Sequence, residues 1–259
     1  YISGVDKIII SFEGQQKRGL NKQIRRFLRN TRGFETMNES ETKVELLCLL
    51  RASEMPLTAS INRMYSQLSS IIRDIVSVIN GDSHQILNDA NDREAEVDAL
   101  LYLVQRQVAI SLDSHFVASS LKLSRNQAVE YSNLARSLER MMDHALIMAE
   151  LILISNTQSL TKMKLVLPQI DNWHHSIKQL MINIRTKDSH EIEAARHQLK
   201  DSQNEITALE EQLMNNNATN ELFLFRLLES IRRICAYARD FGEVLLNIKL
   251  HDESYTSTQ

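Results

Sequence analysis

From Glu54 to about His251, apolar residues recur at intervals of three and four, which predicts helix almost without interruption. Leu57, Ile61, Met64, Leu68, Ile71, Ile75 and Val78 trace a first helix. Gly81-Asp82 is placed to end it, and Asp82 or Ser83 to cap the next. Ile86, Ala90, Val97, Leu101, Val104 and Val108 trace the second. A polar stretch from Asp113 to Ser124 intervenes before the third, on Tyr131, Leu134, Leu138, Met141, Ala145, Met148 and Ile152. The pattern then restarts. Leu167-Pro168 opens a helix as Met55-Pro56 does, and proline suits a first helical turn. Asp82-Ser83-His84 recurs as Asp188-Ser189-His190 at the corresponding boundary. A fifth helix follows Ile192, Ala195, Leu199, Ile206, Leu209 and Leu213, and a sixth Leu224, Leu228, Ile231, Cys235, Ala238, Gly242 and Leu245. This is an internal duplication of a three-helix unit. It predicts a mainly α fold of two tandem three-helix bundles, over residues 53–155 and 156–250, with a polar, disordered tail at 251–259.

Residues 1–52 read differently. Lys7-Ile-Ile-Ile-Ser-Phe12 is a β-branched run closed by Gly14, hence a strand. Gln15 to Asn30 carries Leu20, Ile24, Phe27 and Leu28 on one helical face, with Gly33 placed to end it. Phe34–Glu39 and Lys43–Leu50 read as two further strands, so a short β-α-β-β segment precedes the bundles.

Composition agrees with the helical reading: six Gly and two Pro in 259 residues leave helix-compatible residues dominant. Net charge is only −3, but residues 1–52 hold ten Lys or Arg against six Asp or Glu. The basic excess is therefore local. Cys48 and Cys235 stand alone, which fits a reducing cytoplasm with both thiols packed as small apolar groups. The longest apolar stretch, Ala145 to Ile154, contains Glu150 and is too short to span a bilayer. The chain opens on Tyr1 rather than Met, so a preceding portion is expected to be missing.

Two acidic pairs with i,i+4 spacing carry the candidate chemistry. Glu94 and Asp98 lie on the second helix, Glu139 and Asp143 on the third. That spacing points both carboxylates of a pair from one helical face, where like charges repel and a cation relieves them. Four carboxylates on packed neighbours are hard oxygen donors suited to iron, manganese, magnesium or calcium; solvated or Arg-paired carboxylates are the competing reading. In the second repeat, Gln203 and Thr207 stand where Glu94 and Asp98 would, and Arg232 and Ala236 replace Glu139 and Asp143. Only the first unit is equipped for a cation.

The stretches EAEVDALLYLVQRQ and ARSLERMMDHALIMAE resemble the paired acidic signatures of PhoU proteins, and LESIRRICAYARDFGEVLLN resembles the matching helix of their second repeat. The resemblance spans roughly residues 54–250. It implies a cytoplasmic, homodimeric, non-enzymatic regulator of phosphate uptake and signalling. Such a protein acts by contact with a phosphate ABC transporter or a sensor kinase, at or near the inner face of the membrane. It also implies iron, zinc or another divalent cation on Glu94, Asp98, Glu139 and Asp143. YISGVDKIIISF resembles the start of archaeal PhoU-like regulators, in which an AbrB-type DNA-binding hairpin often precedes this point. The alternative reading is therefore a transcription regulator whose nucleic-acid contact lies upstream of Tyr1.

Lys17, Arg18, Lys22, Arg25, Arg26, Arg29 and Arg32 crowd the first helix with no acidic residue among them. They form a basic contact surface for nucleic acid, an anionic membrane or an acidic partner, or simply a solvated face. Trp173-His174-His175 reads as a packed Trp with partly exposed imidazoles, since adjacent residues on a helix face apart. His144, next to Asp143, is a candidate neighbour to a bound cation. A di-metal oxidase would need Glu-x-x-His motifs, and none is present. A nucleotide fold would need a Gly-rich strand-to-helix turn.

Overall fold

The computed structural model describes residues 1–13, 17–215 and 222–256. Three strands, β1 (Lys7–Ser11), β2 (Phe34–Glu39) and β3 (Lys43–Cys48), form an antiparallel sheet in the order β1-β3-β2. Helix α1 (Lys17–Asn30) lies against one face of it. Alternation in the strands places Ile8, Ile10, Val44 and Leu46 on that face, where they meet Leu20, Ile24 and Phe27. The predicted β-α-β-β segment is thus present. Gly14 and Gln15, read as the strand stop and helix start, lie outside the described residues. Gly33 has φ +86°, and a Cβ there would stand 2.3 Å from Leu50 Cγ, so only glycine fits the turn into β2.

The remainder is helical: α2 (Leu57–Asn80), α3 (Ala90–Asp113), α4 (His115–Ser120), α5 (Arg125–Leu153), α6 (Thr157–Met163), α7 (Leu167–Thr186), α8 (Ser189–Asn215) and α9 (Leu222–Thr256). Their ends follow local chemistry. Gly81, at φ +119°, closes α2 in the left-handed conformation, and its N–H and that of Asp82 take up the last carbonyls. Ser124 and Gln127 form a reciprocal capping box at the start of α5. The polar stretch before α5 contains the short helix α4, capped by Ser114.

The two three-helix units are α2, α3, α5 and α7, α8, α9, and they share one continuous core. Leu57, Ile61, Met64, Leu68, Ile71 and Ile75 of α2 are at most 1 % exposed. The same apolar cluster runs on through Trp173 to Ile248. Helix α5 is the common wall: it packs on α2 and α3 and, most extensively, on α9. Burial of each large apolar side chain contributes about 1.5–3 kcal/mol, so the seam between the repeats is a major stabilising element.

Helix α9 continues to Thr256, past His251 where the polar composition predicts disorder. The reason is tertiary. Asp252 accepts hydrogen bonds from Lys187, which closes α7, and from Gln127 in α5. Residues 257–259 of the predicted tail lie outside the described residues.

Candidate functional site

Helices α3 and α5 pack side by side, and their polar seam is where the four predicted carboxylates meet. Glu94 and Asp98 lie one turn apart on α3, and Glu139 and Asp143 one turn apart on α5. The helices run in opposite senses, so Glu94 feels Asp143, while Glu139 and Asp143 both feel Asp98. Burial against the apolar flank raises the carboxyl of Glu94, with repulsion from Asp98 and Asp143 adding to it. Burial likewise raises Asp98. Glu139 is pushed up to about 7, by burial first and then by Asp143 and Asp98, against the opposing pull of Arg136 and Arg140. Asp143 is raised by burial and Asp98. Tyr102, one turn beyond Asp98, closes the row, its hydroxyl raised by burial and by Asp98, Glu139 and Glu94. The sequence signal for Tyr102 was its i,i+4 position after Asp98.

Neighbouring acids are handled in a different way. Glu96, between Glu94 and Asp98, accepts from Arg63 Nε at 2.8 Å, from Gln67 Nε2 at 2.5 Å and from Arg32 at 3.4 Å. The Arg63 hydrogen bond holds its carboxyl below the ordinary range against the cost of burial. Asp74 and Asp89 share Arg93, at 2.5 and 2.9 Å. Among the described residues, Glu94, Asp98, Glu139 and Asp143 have no ion-pair or hydrogen-bond partner. Glu94, Asp98 and Glu139 are half-buried and Asp143 is exposed; mutual repulsion without an ion-paired cation is a cost that the more distant charges of Arg136 and Arg140 only partly offset. The donor chemistry of the four carboxylates fits a hard divalent ion. Among the described residues no three His, Cys, Asp or Glu groups already converge into a metal-holding set, so closing a shell requires side-chain rotation.

The equivalent seam of α8 and α9 is built from the predicted replacements. Gln203 Nε2 donates to the Arg232 carbonyl at 3.3 Å, and Arg239 donates to Gln203 Oε1 at 2.9 Å. Arg232 pairs with Glu229 and approaches Glu210. Hydrogen bonds and ion pairs within the protein engage Gln203 and the terminal nitrogens of Arg232 and Arg239, while the buried Nε of each arginine has no hydrogen-bond partner.

His144 does not join the carboxylates. It turns toward α9, with its ring centroid 5.8 Å from that of Tyr237, and burial lowers its pKa. Trp173 is fully buried, His174 lies within hydrogen-bond distance of Ser69 Oγ at 3.0 Å, and His175 is exposed.

On α1, Lys22, Arg25, Arg26 and Arg29 are exposed on the side away from the sheet; the side chains of Lys17 and Arg18 lie outside the described residues. Arg32 follows the helix and is tied to Glu96 on α3. Pattern reading missed a second, buried residue that joins this segment to the bundle. Arg106 of α3, 3 % exposed, donates to the carbonyls of Tyr1 and Val5 and to the carboxylate of Asp6. Its only sequence signal was a polar Gln-Arg-Gln interruption between Val104 and Val108.

Residues 61–152, from the first turns of α2 to the end of α5, match the family model of the PhoU domain. The matched segment contains all four seam carboxylates. No curated protein and no solved structure matches the chain. Among the described residues, no helix is long and apolar enough to cross a membrane.

Proposed function

Proceeding from a chain that carries a PhoU domain at residues 61–152, we propose that it is a non-enzymatic regulator of phosphate uptake and signalling. It acts through contacts with a phosphate ABC transporter or its sensor kinase, on the inner side of the membrane. A single observation carries this reading: the unpaired carboxylate seam lies inside the segment that matches the family. Glu94, Asp98, Glu139 and Asp143 would hold iron, zinc or another divalent cation, which supplies the countercharge they lack. The seam residues then set the local shape and charge that a partner meets, and the partner's state shifts affinity through differential contacts. The exposed basic face of α1, with Lys22, Arg25, Arg26 and Arg29, is the complementary surface for an acidic partner or an anionic membrane.

The test is co-purification of the full chain with transporter and kinase components, beside elemental analysis of wild type and a Glu94→Ala/Asp143→Ala variant. Stoichiometric metal and a specific transporter or kinase partner, both weakened in the variant, support the proposal. Absence of any such partner, together with promoter binding by a longer form of the protein, would favour the transcription-regulator reading.

A further inference from the structure

The two repeats share a core, and α2 and α7 are in contact. They are joined where Ser69 and His174 meet at 3.0 Å. Beyond this point Thr58, Asn62 and Tyr65 of α2 face Lys178 and Arg185 of α7 across a cleft of about 560 Å³. Tyr131 of α5, 7 % exposed, is the most buried lining side chain among these. Residues 58, 62 and 65 share one face of α2, and 178, 181 and 185 one face of α7, so both walls present continuous helical stripes. The volume lies in the range of small-molecule sites.

The chemistry of the walls is one-sided. Among the described residues, neither Lys178 nor Arg185 has a carboxylate within ion-pair distance, although 33 acidic residues are available in the chain. Asp252 raises the hydroxyl of Tyr131 in the lining, and that carboxylate is paired with Lys187. Two cations suit a dianion. The hydroxyls of Thr58 and Tyr65 and the amide of Asn62 on α2, with the hydroxyl of Tyr131 on α5, offer donors opposite the two cations of α7, as a tetrahedral oxyanion with several acceptor oxygens requires. Met181, Ile182 and Ile184 complete the lining with apolar surface, which a free inorganic ion would leave unused.

We propose that the cleft between the two repeats binds a small phosphate monoester, its phosphate on Lys178 and Arg185 and its organic group against Tyr65, Tyr131 and Met181. A ligand that contacts α2 and α7 together favours the arrangement in which the repeats are held as found, and so couples them. The site shares no residue with the carboxylate seam and does not rest on the regulatory function proposed above.

The experiment is isothermal titration of the full chain with phenyl phosphate and, separately, inorganic phosphate. Wild type is compared with Lys178→Gln/Arg185→Gln, Lys178→Arg and the remote control Arg25→Gln/Arg29→Gln. The expected result is saturable one-to-one binding of the ester, tighter than that of inorganic phosphate. Binding falls by at least about tenfold in Lys178→Gln/Arg185→Gln, on the scale of one lost charge-assisted contact or more. It survives in Lys178→Arg and in the α1 control. Both cleft cations are exposed, so their replacement leaves the core intact, which circular dichroism verifies. Absence of saturable binding by wild type overturns the proposal. So does full retention in Lys178→Gln/Arg185→Gln, or an equal loss in the α1 control, which would reduce the effect to general charge attraction.

Discussion

Arg106 donates to Asp6 Oδ1 at 2.6 Å, and through its other terminal nitrogen to the Val5 and Tyr1 carbonyls at 2.7 and 3.2 Å. The same guanidinium lies 5.4 Å from the ring centroids of both Tyr1 and Phe34. A single side chain from the middle of α3 therefore gathers the first residues of the chain and the sheet onto the first repeat. Arginine's planar fork suits that task, since several donors act at once from a fixed geometry.

Replacing Arg106 with Met keeps much of the stem volume and removes every donor. Two carbonyls and an aromatic cage then lose their partner, at a cost of about 2–4 kcal/mol. The loss is expected to be local. Hydrogen exchange should rise across residues 1–50 while the helices of the repeats keep their protection, which mass spectrometry of the exchanged protein checks.

The seam carboxylates make stability fall with rising pH. Glu139 titrates near 7 in the fold against an ordinary 4.5, so the native state binds the proton more tightly than the unfolded chain. Stability is therefore greatest below about pH 4.5 for this group, declines through the interval up to 7 and is flat above it. Because the side chain is only partly buried, Glu139→Gln should raise stability at neutral pH by about 1–2 kcal/mol, after solvent screening is allowed for. Urea unfolding at several pH values should show that gain near pH 8 and its disappearance near pH 4.5.

A divalent ion should reverse that penalty. With saturating Mn²⁺ at neutral pH or above, the melting temperature should rise by about 5 °C, as expected for a ligand well above its Kd acting on a chain of this size. Protonation of Glu139 below 7 should weaken the effect, and Glu139→Gln/Asp143→Asn should abolish it. An equal rise in that variant would place the ion elsewhere on the surface.

Gly242 is where α9 approaches α8 and α7. A Cβ there would stand 2.7 Å from Arg196 Cγ and 3.2 Å from Leu180 Cδ2. Alanine would gain about 1 kcal/mol of helix propensity but must displace the stem of Arg196, which holds Glu193 at 2.7 Å. Valine adds two methyl groups to that crowding and should cost about 2–3 kcal/mol, as overpacked cores do. Equilibrium urea unfolding of the two variants measures the difference.

Much of this architecture was legible in the one-dimensional pattern. A three- or four-residue apolar period has one stable solution, a helix with that stripe buried, so Leu57 to Val78 and Tyr131 to Ile152 were readable as core faces. The duplication makes the asymmetry between the seams legible in the sequence, since Gln203 and Arg232 align with Glu94 and Glu139. Gln203 and Arg232 do meet where Glu94 and Asp98 of the first repeat face Glu139 and Asp143. The ends of elements were less legible, because Asp252 looks like tail composition until Lys187 and Gln127 arrive from two other helices.

The sequence by itself determined the helical class, the repeat, the basic first helix and the facing acidic pairs, because these follow from periodicity and charge along one chain. Only the tertiary structure decided which charges are left uncompensated. It gave Glu96 to Arg63, Arg93 to Asp74 and Arg106 to Asp6, turned His144 toward Tyr237, and left the four seam carboxylates and the cleft cations Lys178 and Arg185 without opposite partners among the described residues. The physical reason is range. Helical periodicity is set by neighbours within a turn or two, whereas an ion pair depends on which distant helices are brought within about 4 Å, and packing alone selects those.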